Sequence, residues 1–104
     1  RQLGQAVRWE ASGLPSVTDL LDEDRARAFA RARLGGVIDQ PELLELLEVY
    51  LSEAGAVQRI AERLGVHRNS VPARLVRLRR ALGVDVEDAE QRANLWFALH
   101  FLAE

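Results

Sequence analysis

Apolar positions in this chain recur every three or four residues and hardly ever every second one, so the pattern predicts helices and almost no strand. Leu43, Leu44, Leu46, Leu47, Tyr50 and Leu51 crowd one long stretch behind Pro41, a residue that the first turn of a helix tolerates, and this helix ends near Gly55. Asp39 and Glu42 stand before it at capping-box spacing. Upstream, Val17 to Leu21 forms a short helix, and Asp22 caps a second one carrying Ala26, Phe29, Ala30 and Leu34 and ended by Gly35-Gly36. Near the C-terminus, Asp88 and Gln91 make another capping-box pair in front of Leu95, Trp96, Leu99 and Leu102, which predicts a final amphipathic helix. Residues 1–15 hold Ala6, Val7 and Trp9 before a turn cluster, and read as an edge strand or the tail of an upstream domain. The expected fold class is all-α, a helical bundle.

Between the long helix and the last one, the run Ile60-Ala61-Glu62-Arg63-Leu64-Gly65-Val66-His67-Arg68-Asn69-Ser70-Val71 has the spacing of a helix-turn-helix. Ile60 and Leu64 share a face, and Ala61 is small enough for a second helix to cross close beside it. Gly65 follows where a left-handed residue ends the first helix. Val66 plugs the turn from beneath, while His67, Arg68, Asn69 and Ser70 offer polar groups to open the second helix. Val71, Leu75, Leu78 and Leu82 then recur as one buried stripe, and at about 100° per residue Asn69, Ala73, Val76, Arg77 and Arg80 project away from it.

Pro72 complicates the start of that second helix, because it lacks an N–H and disfavours helical geometry at Val71. A cap at His67 places Pro72 in the second turn with a hydrogen bond lost, whereas a cap at Asn69 places it in the first turn at little cost. A late or distorted start is expected.

Charge changes the picture at one place. The 104 residues carry 14 basic and 16 acidic side chains, a net of −2, yet residues 56–82 hold seven arginines against Glu62 alone, a net of plus six. Affinity for phosphate follows the local patch, so an acidic whole does not exclude nucleic acid. All 14 basic residues are arginine, which GC-rich coding explains as well as guanidinium chemistry does. The length is that of one ordinary domain. With no Cys there is no disulfide framework or thiolate metal site, which fits a reducing compartment. No apolar run reaches the roughly 18 residues of a membrane span and no signal peptide opens the chain, so a cytoplasmic location and no membrane partner are expected. Two histidines and scattered carboxylates make no metal or catalytic constellation, so neither an enzyme nor a cofactor is expected. The lack of Met and a start in mid-pattern are read as a piece of a larger protein, whose remainder holds a sensor.

On the residues quoted above, with Leu82-Gly83-Val84-Asp85 leading into Arg92 and Leu95, the chain resembles the C-terminal helix-turn-helix domain of PucR/CdaR-like transcription factors, the regulators of purine catabolism and carbohydrate diacids. The likeness runs over residues 43–103, more loosely from Leu14, and extends distantly to the nucleoid protein Fis. It implies a Fis-type helix-turn-helix over residues 39–104, preceded in residues 1–38 by a linker and helical segment continuing from an upstream effector-binding domain. It also implies binding of double-stranded operator DNA, usually as a homodimer. Where that family usually has a basic residue and then an aromatic after the position of Val71, this chain has Pro72-Ala73.

The candidate contacts follow. Arg59 and Arg63 on the first helix clamp phosphates as it crosses the strand. Arg68 takes guanine, Asn69 adenine and Ser70 phosphate at the opening of a recognition helix of about residues 68–82. Arg74 and Arg77 match positions that the resemblance places near the backbone, Arg80 faces the groove with Arg77, and His67 is either a helix cap or a base contact. His100, between Leu99 and Phe101, reads as a partly buried helix residue. The alternative is a dimerisation or protein-interaction module with a degenerate helix-turn-helix, for which Pro72-Ala73, the acidic flanks and the apolar surplus of the last helix speak.

Overall fold

Residues 14–102 are described by the computed structural model, and every regular element among them is helical. A 3₁₀ turn, Val17–Leu20, leads into α1 (Glu23–Leu34), then α2 (Pro41–Ser52), α3 (Val57–Leu64), a second 3₁₀ turn (Arg68–Ser70), α4 (Val71–Leu82) and α5 (Ala89–Leu102). The all-α expectation is met. The strand or upstream tail expected over residues 1–15 lies outside the described residues except for Leu14 and Pro15, which join no regular element.

Helix starts follow the sequence signals with two departures. Asp22 caps α1 as expected, its carboxylate accepting the Arg25 N–H at 2.9 Å. At α2 the cap is Gln40 and not Asp39, and no side chain serves it. Proline explains the shift: Pro41 forces the preceding residue out of helical geometry, so Gln40, at φ −124 and ψ 86, is the boundary whatever Asp39 offers. At α5 half of the expected box forms. Asp88 accepts the Gln91 N–H at 3.1 Å, but the Gln91 side chain turns away and accepts from Arg33 Nη1 at 2.6 Å.

That last contact shows how α1 and α5 meet. The C-terminal turn of α1 lies against the start of α5, so the two helices run antiparallel, and Ala26, Ala30 and Leu34 bury against a face containing Leu95, Ala98 and Phe101. The two alanines let the helix axes come close. α2 sits at the centre, with Leu43, Leu46, Leu47, Val49 and Tyr50 buried, and touches α3, α4 and α5. Ile60 and Ala61 of α3 and Val71, Leu75 and Leu78 of α4 complete one continuous core. Each fully buried Leu, Ile or Val contributes roughly 1.5–3 kcal/mol, so this seam and not helix propensity holds the short α3 in place.

Two contacts tie the loops to that seam. Gly36, between α1 and α2, passes so near the end of α4 that a Cβ built on it would collide with the carbonyl group of Ala81. Tyr50 reaches the other loop, its hydroxyl donating to the Val86 carbonyl at 3.4 Å. Burial pushes the Tyr50 phenol above its ordinary value of 10.0, the Glu87 carboxylate pushes the same way, and Arg92 and Arg79 oppose.

Gly36→Ala is expected to lower stability by about 1–3 kcal/mol, because the clash is with backbone that cannot rotate away, read as a lower urea midpoint. Tyr50 gives a second test. The native state holds the phenolic proton more tightly than the unfolded chain does, so its contribution is complete below pH 10 and is lost as pH rises through the native value. Tyr50 is the one tyrosine and the chain has no Lys or Cys, so few other groups titrate there. The urea midpoint should fall above pH 10 in the parent chain and stay flatter in Tyr50→Phe.

Candidate nucleic-acid interface

The corner between α3 and α4 is built from backbone. α3 ends at Gly65, which sits at φ 69 and ψ 33, a left-handed geometry that costs a side chain-bearing residue about 1 kcal/mol or more. The turn is closed by two hydrogen bonds, from the Gly65 N–H to Glu62 at 3.3 Å and from the Val66 N–H to Ala61 at 3.0 Å. Val66, half-buried, packs beneath it as the pattern foretold.

His67 then opens an extended residue and a tight turn. Its Nδ1 accepts the Asn69 N–H at 3.0 Å, and its carbonyl accepts both the Ser70 N–H at 2.9 Å and the Ser70 hydroxyl at 2.7 Å. These bonds wind Arg68–Ser70 as a 3₁₀ turn, and α geometry begins only at Val71. The late start expected from Pro72 is present. Pro72 lies in the first turn of α4, where its missing N–H leaves no bond unmade. Neither simple capping alternative holds by itself: His67 caps the 3₁₀ turn, and Ser70 is the residue from which α4 departs. The imidazole therefore works as a cap, and the Ser70 hydroxyl proton is already given to the His67 carbonyl.

The buried stripe sets the azimuth of α4. Val71, Leu75 and Leu78 are buried and Leu82 half-buried, which turns Ala73, Val76, Arg77 and Arg80 outward and leaves Arg74 half-buried on the flank. Arg68 and Asn69 stand exposed on the turn that precedes this face. No ion pair engages Arg68, Arg74, Arg77 or Arg80 among the described residues. Four cationic side chains thus border one helix without an internal counter-charge.

Arg59 and Arg63 differ. Both point to Glu53, a residue in the turn after α2, with Arg63 Nη1 at 3.1 Å and Arg59 Nη1 at 3.9 Å from its carboxylate oxygens. Glu53 is the functional neighbour that sequence reasoning missed. It lies outside both helices, so no helical period links it to partners further along the chain. Arg79 is likewise engaged, its Nη2 lying 3.6 Å from Glu87 while its buried Nε has no partner. His100 is half-buried as expected and its ring stacks on Trp96, centroids 5.8 Å apart. No cluster of three metal-ligating side chains occurs among the described residues, and none of their helices is long and apolar enough to cross a membrane.

Comparison with known proteins adds the following. The profile of the PucR C-terminal helix-turn-helix domain matches residues 43–101. The chain is 39% identical over 105 residues to an uncharacterised protein in the pkwA 5′ region of Thermomonospora curvata, an alignment covering 89% of this chain and 58% of that protein. It is 30% identical over 95 residues to the purine catabolism regulatory protein of Bacillus subtilis (strain 168), covering 88% of this chain and 18% of that protein. The chain therefore spans little more than half of the first relative and under a fifth of the second. No solved structure matches it.

The cap role of His67 is testable apart from any ligand. His67→Ala should lower stability by about 0.5–1 kcal/mol, and His67→Asn, whose side chain can accept the same N–H, should recover most of it, both read from chemical denaturation.

Proposed function

Because the chain belongs to the family of PucR C-terminal helix-turn-helix domains, we propose that it is the operator-binding domain of a transcriptional regulator, with residues 68–82 seated in the major groove of duplex DNA. The family is one of regulators and not of enzymes. The observation that carries the proposal is the outward face of α4 and the turn before it, where Arg68, Arg77 and Arg80, with Arg74 on the flank, stand without counter-charges among the described residues. A surface with that much unpaired positive charge, one helix wide, fits the width and the potential of the major groove.

In this reading Arg68 pairs with guanine and Asn69 with adenine, the two side chains whose donors and acceptors match those bases in pairs. Their 3₁₀ backbone presents them ahead of the helix. Arg74, Arg77 and Arg80 neutralise phosphates along the groove walls. Arg59 and Arg63 reach phosphates only by sharing or leaving Glu53, so their share is smaller than that of the four unpaired arginines. His67 and Ser70 act through the shape of the turn. Regulators that read two half-sites about 34 Å apart do so as dimers. A homodimer fits the exposed apolar side chains of Val17, Leu20 and Phe29 near α5. The protein-interaction reading draws on the apolar surplus of the neighbouring last helix, where Trp96 is exposed, and a dimer satisfies both. Residues 1–38 lead from an effector-binding part of the same regulator, which acts in the cytoplasm.

Fluorescence anisotropy on a labelled fragment from upstream of the chain's own gene, at two salt concentrations, tests the proposal. Binding should weaken steeply with salt, with a log–log slope of about −0.9 for each phosphate neutralised, and Arg77→Ala should reduce the slope by about that amount. Arg68→Ala should cost about 1–3 kcal/mol on the preferred sequence and less on others. A folded, dimeric sample that binds no duplex even at low salt would exclude DNA reading.

A further inference from the structure

Among the described residues, the outward line of the first two turns of α4 begins with apolar side chains, with the half-buried Arg74 set to the flank. Pro72 and Ala73 are exposed, and Val76 stands 40% exposed one turn later, before the polar face resumes at Arg77 and Arg80. Among the described residues Val76 gains only the rim of a cleft that Tyr50, Val57 and Leu75 also line, and the rest of its side chain stays in solvent. β-Branched residues are poorer helix formers than the leucine and arginine on either side, and an outward valine gains little from the core. Val57, at the start of α3 and also partly exposed, joins Pro72 and Val76 at the mouth of the same cleft, so the apolar surface continues from one helix of the motif to the other.

The charges around this strip decide what can cover it. Arg68 precedes it and Arg77 and Arg80 follow it on the outward side, all exposed and without ion pairs among the described residues. An apolar protein surface laid on the strip would strip water from these guanidinium groups without replacing it, whereas a polyanion with apolar groups on its edge satisfies both. Duplex DNA is such a polyanion, and in the major groove one base alone offers an apolar group, the 5-methyl of thymine.

We propose that Ala73 and Val76 read thymine methyl groups in the major groove, so that thymine is the selected base opposite the first two turns of α4. This rests on the operator-binding reading given above and deepens it. The selection works in both directions. The methyl group gains apolar contact with Val76 and the Ala73 methyl, while cytosine at the same place would turn its N4 donor, and adenine its N6 donor, against side chains that cannot accept a hydrogen bond. Pro72 strengthens the second effect, since its ring fills the first turn with carbons that cannot accept a hydrogen bond. Arg68 and Asn69 on the preceding turn then read polar edges next to an apolar step.

The test uses the 104-residue chain and a pool of duplexes with a random core. The most enriched duplex is resynthesised with deoxyuridine in place of thymine, one position at a time, which removes the methyl and leaves every hydrogen-bonding group unchanged. At one or two positions the replacement should weaken binding about fourfold, the worth of one buried methyl-sized group. With Val76→Thr, which keeps the shape and replaces a methyl by a hydroxyl, or with Ala73→Ser, that penalty should shrink below twofold. Arg77→Ala should weaken the thymine and the uracil duplexes alike. An enriched duplex that tolerates uracil everywhere, or a uracil penalty that neither variant changes, would overturn the methyl reading while leaving operator binding intact. Failure of the parent chain to enrich any duplex would overturn both, through the reading on which this one rests.

Discussion

The burial of Val71, Leu75 and Leu78 against α2 and α3 is the constraint on which the candidate surface depends. A helix that buries three branched side chains on one line has no freedom to rotate: a slip of one residue turns the face by about 100° and would carry an arginine into the core. The positions of Arg77, Arg80, Ala73 and Val76 are therefore consequences of the apolar stripe and not of any attraction among themselves. The same stripe fixes where the recognition segment starts, because Val71 is both its first buried residue and the first residue with α geometry.

Around that stripe the remaining elements act as supports. α2 offers its buried leucines to α3 and α4 together, and Gly65 with Val66 sets the angle between those two helices through backbone bonds that need no particular side chain. α1 and α5 lie along one another, joined at one end by the Arg33–Gln91 bond, and share the core with the motif. Gly36 brings the α1–α2 loop onto the C-terminal end of α4, which is thus held by backbone contact. Surface ion pairs contribute little by comparison. The Arg27 pairs with Glu23 and Asp24 lie at exposed helical spacing, where such pairs are worth a few tenths of a kcal/mol.

Periodicity made most helical faces legible, because buried faces repeat at helical spacing: the stripe on α4, the Leu-rich face of α2 and the alanines of α1 lie where the pattern placed them, whereas α5 buries Leu95, Ala98 and Phe101 and not the expected line through Trp96, and Phe29 of α1 is exposed. The capping signals were less secure. Asp39 lost to Gln40 because Pro41 dictates the geometry of its predecessor, and Gln91 left its box because Arg33, far away in sequence, offered a stronger donor. Pro72 was informative for the same steric reason, and the late helix followed from it. What the sequence hid was pairing across turns. Glu53 offers one negative charge to Arg59 and Arg63 from a position with no periodic relation to them, so a count of arginines overstated the free charge on α3 by about one. The exposed apolar strip at Pro72, Ala73 and Val76 could be seen on a helical wheel, but its meaning required knowing that no described residue covers it.

The central claim is that the face of α4 fixed by its buried stripe is the one that meets DNA. Amide chemical-shift changes in the ¹⁵N-labelled chain, titrated with a short duplex at low salt, test this residue by residue. The account predicts that the largest changes fall on residues 67–70 and on Ala73, Val76, Arg77 and Arg80, with Leu46, Leu47 and Trp96 unmoved. Changes centred on Leu20, Phe29 and Trp96, with the outward face of α4 silent, would contradict it.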